Sequence, residues 1–361
     1  MRIVNILPRG MHFGPTAATA IDLCVRDFVA HSVYRSSTTV LAEPVETPFA
    51  DISYRPVQLS AAGSHRVAAL RFADAARQLS PDIVIVQHHV PSASALARNI
   101  APVPVLLHRH NLQTRVNPLK RLYHAWQFNA LAKTIWVSDV ARQSFVRQHP
   151  SLASRAVTVH SGLDLLAWLP AQKREAVVLC VGRATPDKGI LQAATGICAI
   201  LKGVSSWRTR FILSRLDRNE DYLQSVRQAL APLGARAEVL TDQPHEVVKR
   251  ANETAAVALV PSIFPEPFGR TAIEAFAGGA ALISSRSGGL PEVVGNCAHL
   301  LAEVTSQTVA KALTRLIENE PLRMKLAAGG RKRAAECFDI VKQSHQLDVL
   351  YEKVLANSRP A

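Results

Sequence analysis

Residues 261–295 read PSIFPEPFGRTAIEAFAGGAALISSRSGGLPEVVG, and the rest of the chain is organised around this stretch. It follows the apolar run 257–260, which suits a buried strand of a parallel sheet. Open parallel sheets bind ligands beyond the carboxyl ends of their strands, so the loop after this run predicts a binding site. Glu266 lies in the loop, and Glu274 follows eight positions later inside a predicted helix. The two carboxylates can address two parts of one ligand; the alternative is two solvated acids flanking an ordinary loop.

Phe268 and Gly269 stand between the two acids, where the predicted helix begins. Backbone N–H groups at a helix N-terminus favour hydrogen bonding to an anion or to a hydroxyl-rich group. The stretch therefore predicts a polar, anion-compatible site at the edge of a parallel sheet.

Length and composition predict two folded α/β domains. The chain has 361 residues, of which 48% are hydrophobic and 19% are charged. No apolar run reaches the roughly 18 residues needed to span a bilayer, and the beginning, MRIVNILPRG, resembles a strand more than a signal peptide. We therefore expect a cytoplasmic protein. Five cysteines without a CxxC spacing predict neither a zinc site nor a disulfide framework.

The basic residues are concentrated in one segment. The net charge is +14, and residues 98–155 contain nine Lys or Arg against one acid, Asp139. Nucleic acid, an anionic membrane, a phosphorylated substrate or a generally basic surface are the possible explanations. Nucleic acid is disfavoured because the segment has no recognised binding module and only 6% of the chain is aromatic. An anionic membrane surface is the partner that we predict.

A predicted helix over residues 117–132 carries aromatic residues among its cations. Tyr123, Trp126 and Phe128 lie between Lys120 and Lys133. Aromatic rings at headgroup depth with cations beside the phosphates are typical of an interfacial helix. A core helix with one polar face is the alternative.

The first half of the chain alternates strands and helices from its beginning. A strand at residues 2–8 leads through the loop 10–15, which contains Gly14, into a helix predicted over residues 16–30. This loop lacks the GxGxxG pattern, so it does not by itself predict dinucleotide binding. Two later strands end in His88-His89 and in His108-Arg109-His110. We predict that His110 bonds to substrate, while metal binding and packed or solvated histidines remain alternatives.

The second half restarts the same pattern after a linker. A strand at residues 176–181 enters a glycine-bounded loop that carries Arg183 and Lys188. These two cations can converge on one diphosphate, Arg183 with its forked donors and Lys188 as a point charge. A solvated loop with incidental charges is the alternative. Two such halves imply two doubly wound parallel-sheet domains facing one another.

Together these residues resemble the retaining glycosyltransferases of family 4, which have the GT-B fold. The segment EPFGRTAIE from Glu266 to Glu274 is similar to the EX7E motif of that family, and residues 182–189 look like its diphosphate loop. The glycine loop 287–292 and the segment 160–164, HSGLD in place of NGID, fit the same family. The resemblance implies an α/β GT-B architecture of two Rossmann-like domains, at residues 1–168 and 169–338, with residues 339–361 crossing back to the first.

The resemblance also implies roles for individual residues. Arg183 and Lys188 would bind the diphosphate of a nucleotide sugar and stabilise its departure, and Glu274 would hold the ribose. Glu266 and the backbone of Phe268 and Gly269 would contact the transferred sugar, with His110 at the reaction centre. The remaining expected donor-binding residues are Arg270, Thr271 and Gly14. We find no DxD sequence, so we expect neither a metal nor another cofactor.

Three departures from the family pattern leave the substrates open. Met11-His12-Phe13 separate Gly10 from Gly14, Ser214-Arg215-Leu216 replace a Gly-x-Gly turn, and His160 replaces Asn. The expected activity is metal-independent transfer of a hexose, mannose or glucose, to a membrane-associated glycan in lipopolysaccharide core or surface polysaccharide synthesis. The expected location is the inner face of the cytoplasmic membrane. A non-catalytic nucleotide- or membrane-binding protein of this fold, or an epimerase or phosphorylase, are the alternatives.

Overall fold

The computed structural model describes residues 1–16, 18–59, 63–214 and 219–358. The chain divides into two units. The first unit comprises Met1–Gly162 and the segment from Ile340 onwards, and the second comprises Leu163–Asp339. The chain thus enters the second unit at Leu163, whereas the sequence placed the boundary after Trp168.

The first unit contains a parallel sheet that has seven strands within the described residues. Its strands are β1 (Ile3–Ile6), β2 (Thr38–Ala42), β3 (Tyr54–Pro56), β4 (Ile83–Gln87), β5 (Val105–Arg109), β6 (Lys133–Trp136) and β7 (Ala156–Thr158). They are ordered β3-β2-β1-β4-β5-β6-β7. The chain order reverses between β1 and β4, and this is the point at which doubly wound sheets bind ligands.

Five helices connect the strands of this sheet along the described chain. They are α1 (Ala20–His31), α2 (His65–Gln78), α3 (Val90–Asn99), α4 (Pro118–Asn129) and α5 (Asp139–Val146). Helix α1 begins later than predicted because Thr19 caps it: the Thr19 hydroxyl accepts from Asp22 N, and the Asp22 carboxylate accepts from Thr19 N at 2.7 Å. Such a capping box fixes the start of a helix more sharply than periodicity does.

The second unit repeats the design, with a parallel sheet of six strands among the residues described. Its strands are β8 (Glu175–Arg183), β9 (Arg208–Ser214), β10 (Ala237–Thr241), β11 (Ala255–Val260), β12 (Ala281–Ser284) and β13 (Ala298–Leu300). Their order is β10-β9-β8-β11-β12-β13, with the reversal between β8 and β11. Its helices are α6 (Ile190–Leu201), α7 (Glu220–Leu230), α8 (His245–Thr254), α9 (Arg270–Gly278), α10 (Leu290–Val294), α11 (Ser306–Glu318) and α12 (Glu320–Cys337). The two doubly wound parallel sheets expected from the sequence are confirmed.

The last helix, α13 (Ile340–Ser358), belongs to the first unit. Leu347 and Tyr351 are buried in one apolar cluster with Phe28 of α1. Polar contacts reinforce this packing, since the Ser32 hydroxyl donates to the Asp348 carboxylate at 2.6 Å. The C-terminal end of the chain therefore completes the core of the N-terminal unit.

Helix α4 exposes two of the three aromatic residues that were expected at an interface and buries the third. Phe128 is only 1% exposed and packs edge-on against Phe145, with ring centroids 4.7 Å apart. The expectation that Phe128 is interfacial was wrong, because residues 127 and 128 form the one buried part of this helix. Within the described ranges, no helix combines the length and the hydropathy that crossing a membrane requires.

Candidate active site

The reversal point of the second sheet brings two loops together. Strands β8 and β11 are direct neighbours, so the loops after Arg183 and after Val260 begin side by side. The backbone carbonyl of Asp187 in the first loop accepts hydrogen bonds from Ile263 N at 2.9 Å and from Phe264 N at 2.8 Å in the second. The two loops therefore form one connected edge.

Lys188 and Glu266 meet at this edge. Lys188 Nζ donates to Glu266 Oε1, and both side chains are largely shielded, with 17% and 14% exposure. Lys188 Nζ also lies 5.6 Å from the ring centroid of Phe264. The structure thus joins the lysine of the predicted diphosphate loop to the first glutamate of the EPFGRTAIE segment.

Arg183 has a different partner. Its Nη2 lies 3.4 Å from Asp187 Oδ2, and both side chains are more than a third exposed. An exposed ion pair of this kind contributes little to stability because water screens it. Arg183 can therefore exchange Asp187 for another anion at small cost.

The loop after β12 holds the backbone of Glu266 in place. Gly289 N donates to Glu266 O at 2.6 Å. Gly288 has a φ of 60°, and a Cβ there would lie 2.2 Å from Glu266 O. Only glycine fits this approach, so the 287–292 loop positions the glutamate through backbone contacts.

Helix α9 begins directly after Gly269, whose φ is 127°. Phe268 is buried and packs edge-on against Phe338 at a centroid distance of 5.5 Å. Thr271 is half-buried in the first turn of the helix. The side chain of Phe268 thus anchors the start of the helix on which Glu274 stands.

Glu274 is buried, and one of its oxygens is fully engaged. Its Oε1 accepts from His245 Nε2 and from Arg270 Nε, each at 3.0 Å. Burial, the largest influence, raises the pKa of Glu274, but the His245 hydrogen bond and the charges of His245 and Arg270 together outweigh it and lower that pKa. No hydrogen bond to Glu274 Oε2 forms among the described residues, so an ionised carboxylate oxygen remains to accept a ligand hydroxyl.

His110 lies in the first unit and is held by a short polar chain. Asn5 Oδ1 accepts from Gln87 Nε2 at 2.9 Å, which leaves Gln87 Oε1 to accept from His110 Nε2 at 2.8 Å. Burial, with the charges of His108, His88 and Arg109, lowers the pKa of His110 well below its ordinary value. The imidazole is therefore neutral, with its proton on Nε2 and its lone pair on Nδ1.

The other histidines at this sheet edge are also held neutral. Burial lowers the pKa of His88 and of His89 to about 4, and that of His108 to about 3. In the parts of the chain that the structure describes, no three His, Cys, Asp or Glu side chains are arranged to hold a metal ion.

Gly14, the remaining residue that was expected to bind the donor, packs against the neighbouring loop. A Cβ at this position would lie 2.5 Å from Thr47 O.

Sequence reasoning missed the partners that hold the predicted residues. We assigned no role from the sequence to Gln87, Asp187 or His245, which begins α8. Each of them stands at or just beyond the carboxyl end of a strand, and that position is the signal that could have identified them as site residues. The departure from the family pattern at Ser214-Arg215-Leu216 lies mostly outside the described residues, because residues 215–218 are not described.

Part of the chain is similar in sequence to known glycosyltransferases. Residues 167–333 match the family described as Glycosyl transferases group 1. The chain is 28% identical over 277 residues to the MMP alpha-(1->4)-mannosyltransferase of Mycolicibacterium hassiacum, covering 70% of this chain and 66% of that protein. It is also 28% identical over 285 residues to the phosphatidyl-myo-inositol mannosyltransferase of Mycolicibacterium smegmatis, covering 75% of this chain and 70% of that one.

Solved structures show the same fold at lower sequence identity. Anabaena Alr3699/HepE, in complex with UDP and glucose, matches with a TM-score of 0.79 and 18% identity, over 98% of this chain and 100% of that one. The sucrose-phosphate synthase of Thermosynechococcus elongatus matches with a TM-score of 0.78 and 18% identity, over 99% and 100%. The two parallel sheets and these neighbours define the GT-B fold.

The match to the group 1 glycosyl transferases spans most of the second unit. Together with the relatives named as mannosyltransferases, it identifies the protein as a glycosyltransferase, an enzyme that transfers glycosyl groups from sugar donors.

Proposed function

We propose that the protein is a retaining, metal-independent hexosyltransferase. It moves mannose or glucose from a nucleotide-diphosphate sugar to a membrane-associated glycan, in lipopolysaccharide core or surface polysaccharide synthesis. The observation that carries the proposal is the contact between Lys188 and Glu266 across two loops joined by the Asp187 carbonyl.

The chemistry of glycosyl transfer suits this pair. When the bond between the sugar C1 and the phosphate oxygen breaks, positive charge grows on the sugar ring and negative charge grows on the leaving diphosphate. A fixed cation beside the phosphate and a fixed carboxylate beside the sugar both act where charge develops, which is where electrostatic stabilisation is most effective. Lys188 and Glu266 supply one of each.

The second unit also offers a place for the nucleotide. Glu274 Oε2 accepts no hydrogen bond among the described residues and would receive a ribose hydroxyl, while Oε1 stays fixed by His245 and Arg270. The solved complex of Alr3699/HepE contains UDP and glucose, which supports a nucleotide sugar as the donor class for this chain. Thr271 and the backbone of Gly269 would line the same subsite.

Metal independence rests on the cations of the loop after β8. Lys188 is shielded and fixed, and Arg183 needs to release only an exposed pairing with Asp187. Together they can neutralise the charge that grows on a departing diphosphate, a role otherwise served by a bound divalent cation.

His110 in the first unit is proposed as the reaction-centre residue on the acceptor side. Its neutral ring offers the Nδ1 lone pair as a hydrogen-bond acceptor, because Nε2 is committed to Gln87. The acceptor is assigned to a membrane-associated glycan because residues 98–155 of the same unit carry the basic excess of the chain.

The experiment is a donor panel with purified protein. Candidate UDP- and GDP-hexoses are incubated with a panel of glycan acceptors and tested for release of the nucleotide diphosphate with and without EDTA, and the anomeric configuration of the new glycosidic bond is read by NMR. We expect turnover with one donor, no loss in EDTA, and retention. Lys188→Ala should lower kcat by about 10²-fold or more, the typical effect of removing one fixed charge or donor at a developing anion.

The matched control is Lys202→Ala, which removes an exposed lysine of the same unit. Its kcat should equal that of the unmodified protein. An inverted product, inactivation by EDTA, or equal activity of the two lysine variants would each refute the corresponding part of the proposal.

A further inference from the structure

Helix α4 presents an apolar stripe to solvent. Among the residues of this helix only Gln127 and Phe128 are buried. Leu119, Leu122, Tyr123 and Trp126 are 79%, 66%, 56% and 54% exposed. Because residues at i, i+3, i+4 and i+7 share one helix face, these four side chains form a continuous surface, here called the α4 stripe.

The α4 stripe is fixed in shape by its neighbours. Tyr123 and Trp126 stack with ring centroids 5.8 Å apart and an angle of 19° between their planes. The guanidinium of Arg98 lies 3.6 Å from the Trp126 ring centroid and donates to Trp126 O at 2.9 Å. Asn117 caps the helix by accepting from Lys120 N at 2.9 Å. The stripe is therefore preformed, so little ordering entropy opposes its binding to a partner.

The charges on helix α4 and directly before it in the sequence have a single sign. Helix α4 carries Lys120 and Arg121 and no acidic residue, and Arg115 precedes it. The one acid between residues 98 and 155 is Asp139, whose carboxylate accepts from Arg142 at 3.1 Å and from Thr158 at 2.7 Å. An apolar surface bordered by cations requires a partner that is both apolar and anionic.

We propose that the α4 stripe docks on an anionic lipid bilayer, with its apolar side chains in the boundary between headgroups and acyl chains and with Lys120 and Arg121 at the lipid phosphates. Aliphatic and aromatic residues beside lysine and arginine are what such interfaces bind. A second copy of this chain fits less well, because a two-fold contact through the stripe would bring the same cations into proximity.

This inference deepens the proposed transfer to a membrane-associated glycan by naming the surface that reaches the membrane. Its test is independent of transfer, since no stripe residue is assigned to the donor or the reaction centre. Nucleotide release measured with a water-soluble glycan acceptor and without vesicles should therefore be unchanged in stripe variants. If the unmodified protein turns over but does not bind anionic vesicles, the docking surface alone is refuted; if it binds vesicles but shows no turnover, the proposed function alone is refuted.

Trp126 provides a specific reporter of docking. The chain has four tryptophans, all within the described ranges, and the other three are buried: Trp136, Trp168 and Trp207. We expect the emission of the full-length protein to shift to shorter wavelength with vesicles of phosphatidylcholine containing about one third phosphatidylglycerol, and brominated lipids to quench it. Vesicles of phosphatidylcholine alone should produce a smaller shift, and salt should weaken binding.

Two paired variants separate the apolar and the charged contributions. Leu119→Ser with Leu122→Ser should lower the affinity for anionic vesicles by roughly tenfold or more, because two exposed leucines lose their burial in lipid. Lys120→Glu with Arg121→Glu should lower it to a similar degree on anionic vesicles. The matched control is Val33→Ser with Leu166→Ser, which changes side chains that are 72% and 91% exposed elsewhere on the molecule.

The proposal is overturned if Trp126 emission is unchanged by anionic vesicles, or if the control pair loses vesicle binding as much as the leucine pair. It is also overturned if the leucine pair leaves vesicle binding intact but converts a dimer into a monomer in sedimentation velocity. That result would assign the stripe to self-association.

Discussion

Glu274 is a buried carboxylate that its neighbours keep ionised. His245 and Arg270 both bind its Oε1, and their combined effect lowers its pKa despite burial. A group held in this way does not need to reorganise when a ribose hydroxyl approaches its other oxygen. The residue that the sequence left without a role, His245, therefore supports the donor site that we propose.

Replacing His245 tests this support. His245→Ala should raise KM for the donor roughly tenfold with a smaller change in kcat, because a hydrogen bond to a charged group is worth about 1.5–3 kcal/mol. His245→Gln, which retains an N–H donor, should restore most of the affinity. His299→Ala on β13 is the control. A fall in kcat with KM unchanged would place His245 at the chemical step instead.

His108 makes the stability of the first unit depend on pH. Burial lowers its pKa to about 3, whereas an unfolded histidine has a pKa near 6.5. The unfolded chain thus binds the proton first, so the stabilisation is complete above about pH 6.5 and is lost as pH falls toward 3. His88 and His89, with pKa values of about 4, act in the same direction.

Urea denaturation at two pH values measures this effect. Between about pH 7.5 and about pH 5, His108 should account for a loss of about 2 kcal/mol in the free energy of unfolding. His108→Gln should show a correspondingly smaller loss, whereas His345→Gln, which changes an exposed histidine, should behave like the unmodified protein. The same pH dependence in His108→Gln would contradict the assignment.

At the scale of elements, the glycine loop after β12 positions the loop after β11. A side chain at Gly288 would collide with the backbone of Glu266, and its φ of 60° adds strain. Gly288→Ala should therefore lower both stability and kcat. The measurement is a denaturation curve together with the nucleotide-release assay.

A second variant, at Gly234, separates the effect of backbone strain from the effect of a steric collision. It also has a positive φ, 55°, but a Cβ there would meet nothing within 4 Å. Gly234→Ala should cost only the strain of holding a side chain at φ 55° and ψ −131°, about 1–3 kcal/mol, with kcat unchanged. If both alanine variants lose stability and activity equally, the contact with Glu266 is not what requires glycine.

Helix α13 links the two ends of the chain at the scale of the whole molecule. Leu347 is buried among residues of the N-terminal unit, more than 300 positions from Phe28 in the sequence. Leu347→Ala should lower the free energy of unfolding by about 3 kcal/mol, as expected for a buried leucine that leaves a cavity. Hydrogen exchange should show the loss of protection in the first unit.

Val341 on the same helix is the control, because 58% of it is exposed. Val341→Ala should change stability by no more than about 0.5 kcal/mol. Destabilisation that is confined to the second unit would contradict the placement of α13.

The sequence alone determined the two parallel sheets and the enzyme class. Short apolar runs such as 257–260, bounded by Pro261 and alternating with helical segments, favour strands buried on both faces. The polar residues that follow parallel strands gather at one edge of the sheet. Glu266, Glu274 and Lys188 were therefore identifiable as candidate site residues, although their roles remain proposals. Local pattern suffices here because strand direction decides where the loops lie.

The tertiary structure decided what each of these residues contacts. The pairing of His245 with Glu274 joins elements 29 positions apart, and no local periodicity encodes which side chain a folded loop will face. The sequence also predicted the wrong exposure for Phe128, since an apolar residue on a helix can pack on a core or face solvent, and only its neighbours decide. For the same reason, the sequence did not show that Leu119 and Leu122 are exposed in the fold. A hydrophobic pattern shows which residues are apolar, but not which of them are buried.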